Sequence, residues 1–458
     1  MRKTFIIGLV ISQTVAAQNI SQRLEAETKK MTGSENMLAA NLSFYVADEN
    51  GNVVYEYQGN KGLSTASTQK IFTAIAALDK LGPSFTFKTQ ASYSGQLQGG
   101  TLQGNLYLTS NGDPTLGSWR YEGYKPENFK AKLLAAVQDK GIKAIEGDLI
   151  LDDSYFDLQT TPGGWPWNDM GNYYGAGVWG ISWNENQFDM SVAGGKDIKN
   201  FNYTPVNVNW VSEVKAEGSG DNSIIYTAPF SDFGLINGKL PAGKTTVVSG
   251  ALPNPPLVLG TEIKKWFSEK GITIKGKVLT YNTEKIKGNE ISQTPVNNMF
   301  FTYQSPSLDK IIYWFLQKSV NLYGETLVKT FSRQKTKNAS FDSGISELKQ
   351  YWRDKGIASA MINFADGSGL SPQNYVSAKA EVQALLYAQK QPWFDTFYKA
   401  LPTYNGMKMK SGTIKASKAY TGYHQSKSGK KYVFSMIVNN YSGGNINSLM
   451  YKVLDELK

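Results

Sequence analysis

The sequence predicts an α/β (α+β) protein in which one domain is assembled from both ends of the chain around a β-rich insertion. Three observations predict it. The first part of the chain combines strand-like alternation with a helical run that is apolar on all sides. From about residue 85 to residue 296, short strands and Gly/Asn/Pro turns dominate. After that, helices return, and the chain closes on strand-like runs and a helix. The predicted domains are 18–84 with 297–458 as one discontinuous unit. Residues 85–296 form the insertion, read as two nested subdomains with the inner one about 187–252.

Composition narrows the chemistry. The 458 residues include no Cys and one His, so a disulfide framework, a thiolate zinc site, an iron–sulfur cluster and a multi-histidine metal site are all excluded. A Ser-His-Asp triad could form only through His424, and there is no G-x-S-x-G elbow to carry it. His424 itself is read as a packing or surface residue. An enzyme of this composition takes its base from Lys, Glu, Asp or Tyr. The net charge of +10 suits an anionic partner, but the basic residues are scattered. No nucleic-acid motif accompanies them, so nucleic acid is not predicted as a partner.

The elements follow in order. Arg2 and Lys3, the apolar stretch Phe5 to Ile11, and Val15-Ala16-Ala17 read as a signal peptide of residues 1–17, cleaved after Ala17. Its removal would lower the net charge from +10 to +8. No other segment has the continuous apolar length of a membrane span, so the mature chain is expected to be exported, with no transmembrane segment. Residues 19–32 suit a first helix. Residues 42–48 and 53–57 alternate as strands across the turn at Glu49-Asn50-Gly51-Asn52. Ser67 opens a helical run that Gly82-Pro83 stops. One helix, residues 130–140, interrupts the strands of the insertion. Beyond it, helices are predicted over 308–335, 344–356 and 378–389. Strands follow at 419–424 and 432–439, and a helix at 447–457.

The chemistry starts at Ser67-Thr68-Gln69-Lys70. The S-x-x-K spacing is weak by itself and recurs at Ser212, Ser307, Ser332, Ser346 and Ser428. Position separates Ser67: it lies where a buried helix starts, among unpaired backbone N–H groups and at the positive end of the dipole. Lys70, one turn later on the same face, can reach the hydroxyl and act as a general base if desolvation removes its proton. A Ser N-cap followed by a solvated Lys is the competing reading of this motif alone. Two further triplets follow in order. Ser319-Val320-Asn321, expected on a helical segment, offers a hydroxyl to relay a proton and an amide to hold a carbonyl. Lys410-Ser411-Gly412-Thr413, after an alternating strand, offers a cation and hydroxyls for a carboxylate. Gly412 would let a substrate backbone approach the strand edge. The ordered set S-x-x-K, S-x-N, K-[ST]-G is specific where each part alone is not.

With these residues the chain resembles the D-alanyl-D-alanine carboxypeptidase/endopeptidase family of low-molecular-mass class C penicillin-binding proteins, peptidase family S13. The resemblance runs from about residue 20 to the C-terminus. It is carried by ASTQK (66–70), GNLYLTSNGDPTL (104–116), GWPWNDMGNYYG (164–175), SVNLYGETL (319–327), DGSGLS (366–371) and MKSGT (409–413). It implies a penicillin-binding-protein/serine β-lactamase-like transpeptidase fold with a β-rich multi-domain insertion, and no cofactor or metal. Ser67 would be the acylated nucleophile and Lys70 its base. Ser319 would pass a proton to the leaving amine, and Asn321 would orient the peptide. Lys410, Ser411 and Gly412, with Thr413, would hold the terminal carboxylate and the substrate backbone. The N–H groups of Ser67 and Thr413 would form the oxyanion hole. In the insertion, Asp169 would meet the ammonium of the stem peptide's third residue and Tyr174 would pack beside it; a structural turn is the competing reading there. The implied partners are peptidoglycan stem peptides, with β-lactams as covalent inhibitors, and the implied compartment is the periplasm.

Two positions depart from the family pattern. Ser411 stands where many members have Thr, which keeps the hydroxyl. Pro372, directly after DGSGLS, stands where members that clasp a diaminopimelate carboxylate often carry Arg, and proline cannot make that contact. Asp366 is read as a turn former. A β-lactamase is the nearest enzymatic rival, disfavoured by the long insertion. A non-catalytic wall-binding protein is disfavoured by the intact Ser67, Lys70, Ser319, Asn321 and Lys410.

Overall fold

The computed structural model describes residues 20–292, 294–295, 297–337 and 339–458. The leader predicted at 1–17 lies outside the described residues. The described residues divide into two compact units, one of residues 20–83, 312–319 and 345–458, the other within 84–311 and 320–344.

The first unit is built on a six-stranded antiparallel sheet. Its strand order is Val53–Tyr57, Asn41–Asp48, Lys431–Asn439, Ser417–Gln425, Met407–Ile414 and Thr403–Tyr404. Lys431–Asn439 reads KYVFSMIVN, a nearly unbroken apolar run, because a central strand is covered on both faces. One face packs Phe44, Met409, Phe434 and Met436 against Leu24 and Met31 of the helix at residues 20–32. Met450 and Leu454 of Ile446–Asp455 join the same core. Helix Ala378–Ala388 lies against strands Asn41–Asp48 and Lys431–Asn439, and it also touches helix Lys70–Leu81. Gly82 ends that second helix at φ +80°, as its Gly-Pro signal predicts.

The second unit has a five-stranded sheet in the order Val278–Thr280, Leu149–Asp152, Leu106–Ser110, Lys88–Tyr93 and Met299–Gln304, besides a small four-stranded one. Two three-stranded sheets lie within residues 187–251. One holds Asp197–Phe201, Gln187–Ala193 and Thr245–Ala251; the other holds Asn209–Ala216, Phe233–Leu240 and Asn222–Tyr226. Phe129, Trp183, Phe188 and Trp266 sit in its continuous core.

Two sequence expectations need correction. The insertion contains a second long helix, Pro255–Glu269, besides Pro126–Asp139. Its start is written in Asn254-Pro255: the Asn254 side chain accepts the Leu257 N–H, and proline occupies the first turn, where no donor is lost. The helix expected over 308–335 is two helices, Leu308–Gln317 and Asn321–Arg333. Ser319 breaks them apart at φ +57°, so the Ser319-Val320-Asn321 triplet sits at a helix junction, not within a helix.

Candidate active site

The Ser67 segment is wound more tightly than an α-helix. Residues Ala66–Gln69 form a 3-10 turn, and the α-helix begins only at Lys70. Ala66 holds φ +47°, a conformation that side chains other than Gly rarely adopt. Strain of this kind costs about 1–3 kcal/mol and persists only where the surroundings enforce it. The enforcing partner includes strand Met407–Ile414. A Cβ on Gly412 would stand 2.2 Å from the Thr65 carbonyl oxygen and 3.0 Å from the Ser67 nitrogen. The close approach that Gly412 permits is therefore first of all to the turn that carries Ser67.

Lys70 is wholly buried, and its Nζ lies 3.0 Å from Ser67 Oγ and 2.7 Å from the Ser368 carbonyl oxygen. Its ammonium also sits 5.8 Å from the Phe315 ring centroid, one turn before Ser319 in the chain. The Ser368 carbonyl is aimed by the DGSGLS loop. Buried Asp366 accepts the N–H groups of Gly369 (2.7 Å) and Ser371 (2.6 Å) and the Asn374 side-chain amide (2.9 Å). The loop is tied to the segment running from Ser67 into helix Lys70–Leu81 by Gln69 Nε2 donating to the Asp366 carbonyl (2.6 Å) and Thr73 Oγ1 donating to the Gly367 carbonyl (2.7 Å). Gly369 is required, since it has φ +83° and a Cβ there would lie 1.9 Å from the Ala66 carbonyl oxygen. Asp366 is thus a turn former whose turn positions a contact of Lys70. Sequence reasoning missed Gln69, Thr73 and Ser368; DGSGLS was the only signal for them.

Ser319 Oγ is buried without a hydrogen-bond partner among the described residues, a costly state for a hydroxyl that serves only structure. Lys410 is buried, and its Nζ donates to the Ser411 carbonyl at 2.8 Å. Burial first, then the charges of Lys70 and Lys418, hold the Lys410 ammonium well below the ordinary lysine range. Ser411 is half-buried and Thr413 exposed on the same strand. The short strand Thr403–Tyr404 pairs with Met407 and Lys408, so among the described residues no strand covers that edge along Ser411–Thr413.

In the second unit, Asn321 opens helix Asn321–Arg333, and its side-chain amide donates to the Tyr174 carbonyl at 2.8 Å. The Tyr174 hydroxyl donates to Asp169 Oδ1 at 3.2 Å. Burial raises the Asp169 pKa, partly offset by that hydrogen bond, and burial likewise pushes the Tyr174 phenol up, keeping it a donor. The segment is compact because Gly175 passes the Asp169 carbonyl so closely that a Cβ would lie 2.0 Å from its oxygen. The structure therefore brings Asn321, Tyr174 and Asp169 together.

A buried carboxylate that sequence reasoning missed anchors the same helix. Glu185 accepts Tyr323 Oη (2.6 Å), Ser118 Oγ (2.6 Å) and Arg120 Nε (2.9 Å). It lies in a run of three left-handed residues, Asn184, Glu185 and Asn186. Asn tolerates that conformation, while Glu185 is held there by Arg120 and two hydroxyl donors. His424, the lone imidazole, pairs with Tyr432 between strands, and burial followed by Lys458 lowers its pKa.

Residues 24–406 match the family described as D-Ala-D-Ala carboxypeptidase 3 (S13), a span that stops just short of Lys410. The chain is 27% identical to D-alanyl-D-alanine carboxypeptidase DacB of Haemophilus influenzae over 440 residues, which covers 89% of this chain and 87% of that protein. It is also 27% identical to the D-alanyl-D-alanine carboxypeptidase of Actinomadura sp. strain R39, covering 86% and 76%. Among solved structures, penicillin binding protein 4 (dacB) of Haemophilus influenzae superposes with TM-score 0.76 at 24% identity over 96% of this chain and 97% of that one. The same protein complexed with a β-lactam superposes with TM-score 0.71 at 23% identity over the same shares of the two chains.

Proposed function

Since this chain belongs to the D-Ala-D-Ala carboxypeptidase 3 (S13) family, we propose that its peptidase activity runs through Ser67 as the acylated nucleophile, with Lys70 as the base. The enzyme is a serine-type D-Ala-D-Ala carboxypeptidase that acts on peptidoglycan peptides through an acyl-enzyme and is acylated by β-lactams. Cleavage of D-Ala-diamino acid cross-links is the same chemistry with a different leaving group.

Neutral Lys70 takes the Ser67 proton as Oγ attacks the carbonyl carbon of the penultimate D-Ala. Lys70 and Lys410 are both buried, and after burial the charge of Lys70 is the next cause that lowers the Lys410 pKa. Ser67 and Thr413 N–H groups receive the oxyanion, each donor contributing about 2.7–4 kcal/mol in hydrolases of this kind. Ser319 passes a proton to the leaving nitrogen as the C–N bond breaks. Water then hydrolyses the ester. Asn321 orients the peptide, and Lys410, Ser411 and Gly412 hold the substrate's carboxyl end along the strand edge. Asp169 and Tyr174 receive the free end of the third residue.

The observation that carries this reading is the 3.0 Å contact between Lys70 Nζ and Ser67 Oγ, made by a lysine with no exposure to solvent. Among the described residues no helix is long and apolar enough to cross a membrane. With the signal-like residues 1–17, this supports a periplasmic enzyme. Fluorescent penicillin labelling with mass spectrometry tests the nucleophile: one adduct is expected, on the peptide containing Ser67. A Ser67→Ala protein that still labels overturns the assignment.

A further inference from the structure

A buried carboxyl lies behind the Ser67 turn. Glu381, on helix Ala378–Ala388, has no exposure to solvent, and neither have Thr68, Thr421 and Ser435. Ser435 Oγ donates to Glu381 Oε2 at 2.6 Å, while Oε1 has no hydrogen-bond partner among the described residues. Burial raises the Glu381 pKa to about 7, and the Ser435, Thr68 and Thr421 hydroxyls beside it offset part of that rise. Both threonines have already committed their hydrogens. Thr68 Oγ1 donates to the Thr65 carbonyl at 3.0 Å, and Thr421 Oγ1 donates to the Phe434 carbonyl at 3.1 Å. Each can offer Glu381 only a lone pair. A neutral carboxyl suits that arrangement because its O–H donates; an ionised one only accepts, and competes with the Thr65 carbonyl for the Thr68 hydrogen. The Thr65 carbonyl also accepts the Thr68 N–H, at 3.3 Å, in the turn that carries Ser67. The ionisable groups facing helix Ala378–Ala388 are Tyr45, Tyr423 and Lys431 on the sheet face that Ser435 shares, with Lys410 beside Thr421. Helix Lys70–Leu81 adds Lys70 and Asp79, and the short strand Tyr375–Ser377 brings Tyr375, which is exposed.

We propose that Glu381 is a positioning residue for Ser67, acting through Thr68. Protonated, it leaves the Thr68 hydroxyl on the Thr65 carbonyl and the turn wound. Ionised, it draws that hydroxyl away and slackens the turn, so that Ser67 is held less well for attack. The proposal rests on the Ser67 peptidase reading above. It adds a proton-dependent control of acylation, exerted by a carboxyl that touches no substrate.

The test is the rate of penicillin acylation against pH for full-length wild type, Glu381→Gln and Thr68→Val, with circular dichroism at each pH to establish that the protein is folded. Glutamine does not titrate, and its amide N–H donates where the carboxyl O–H did. Between about pH 6 and about pH 9, the wild-type rate divided by the Glu381→Gln rate should fall about 2–10-fold, the worth of one ordinary hydrogen bond. Thr68→Val removes the hydroxyl through which Glu381 acts. It should acylate more slowly at low pH and lose the alkaline fall. A wild-type to Glu381→Gln ratio that is flat with pH, both proteins being folded, overturns the proposal. If Glu381→Gln does not fold, an alkaline fall that survives intact in Thr68→Val overturns it instead. Failure of the underlying reading is distinct: wild type then takes up no penicillin at any pH, or Ser67→Ala still takes it up.

Discussion

The Asn321 side-chain amide donates to the Tyr174 carbonyl at 2.8 Å. Asn321 is thereby tied to the insertion segment that carries Asp169, because Tyr174 also holds Asp169.

The first prediction concerns pH. Burial raises the Asp169 pKa, so this carboxyl becomes neutral at a higher pH than an ordinary aspartate. As pH falls, kcat/KM for a peptide with a free amine on its third residue should drop relative to an amine-blocked peptide. The drop should begin above the usual aspartate range of about 4. Asp169→Asn should abolish this acid limb. A wild-type ratio that is flat with pH removes Asp169 from the ammonium site.

Lys70→Ala should leave the fold intact and slow acylation by at least about 100-fold, the lower bound for loss of a general base. Stopped-flow measurement of penicillin acylation checks it. Acylation at the wild-type rate would discard the lysine base.

Gly369→Ala drives a methyl group toward the Ala66 carbonyl at a residue with positive φ. The loop must shift, and the Ser368 carbonyl moves off Lys70. Slower acylation and a stability loss of about 1–3 kcal/mol are expected, measured by labelling kinetics and urea unfolding.

Glu381 is a buried carboxyl whose pKa burial raises to about 7, with Ser435 Oγ 2.6 Å from Oε2. Its folded pKa lies above its unfolded value, so its contribution to stability is full below about pH 4.5. That contribution is lost as pH rises through about 7, because the unfolded state gives up the proton first. The loss amounts to about 3 kcal/mol. Glu381→Gln should flatten this window, and urea midpoints at pH 5 and pH 8 test it.

Tyr323→Phe removes one of the donors to Glu185 and leaves Arg120 and Ser118 in place. A stability loss of about 1.5–3 kcal/mol is expected from urea unfolding, as for other hydrogen bonds to a charged group.

Much of the fold was legible because its signals are local. The strands at 41–48 and 53–57 and the helix stop at Gly82 follow from alternation and a Gly-Pro pair. The break at Ser319 was not legible. Its flanks are both apolar at helical spacing, and no Gly or Pro marks the positive φ between them. Helix Pro255–Glu269 had its Asn-Pro-Pro start in view, but the surrounding turn-rich texture masked it.

By itself the sequence determined the three triplets, their order and the one-turn spacing that lets Lys70 reach Ser67. These depend on residue type and on distances along a few residues of chain, which backbone geometry fixes. Only the tertiary structure decided what surrounds them. It holds Ala66 and Ser319 at positive φ, and it brings the Ser368 carbonyl to Lys70 across 298 residues of sequence. It also places Lys410 and Lys418 near one another without a carboxylate counter-ion among the described residues. Burial, strain and the field of distant charges come from packing between segments far apart in the chain. No short stretch of residues encodes them.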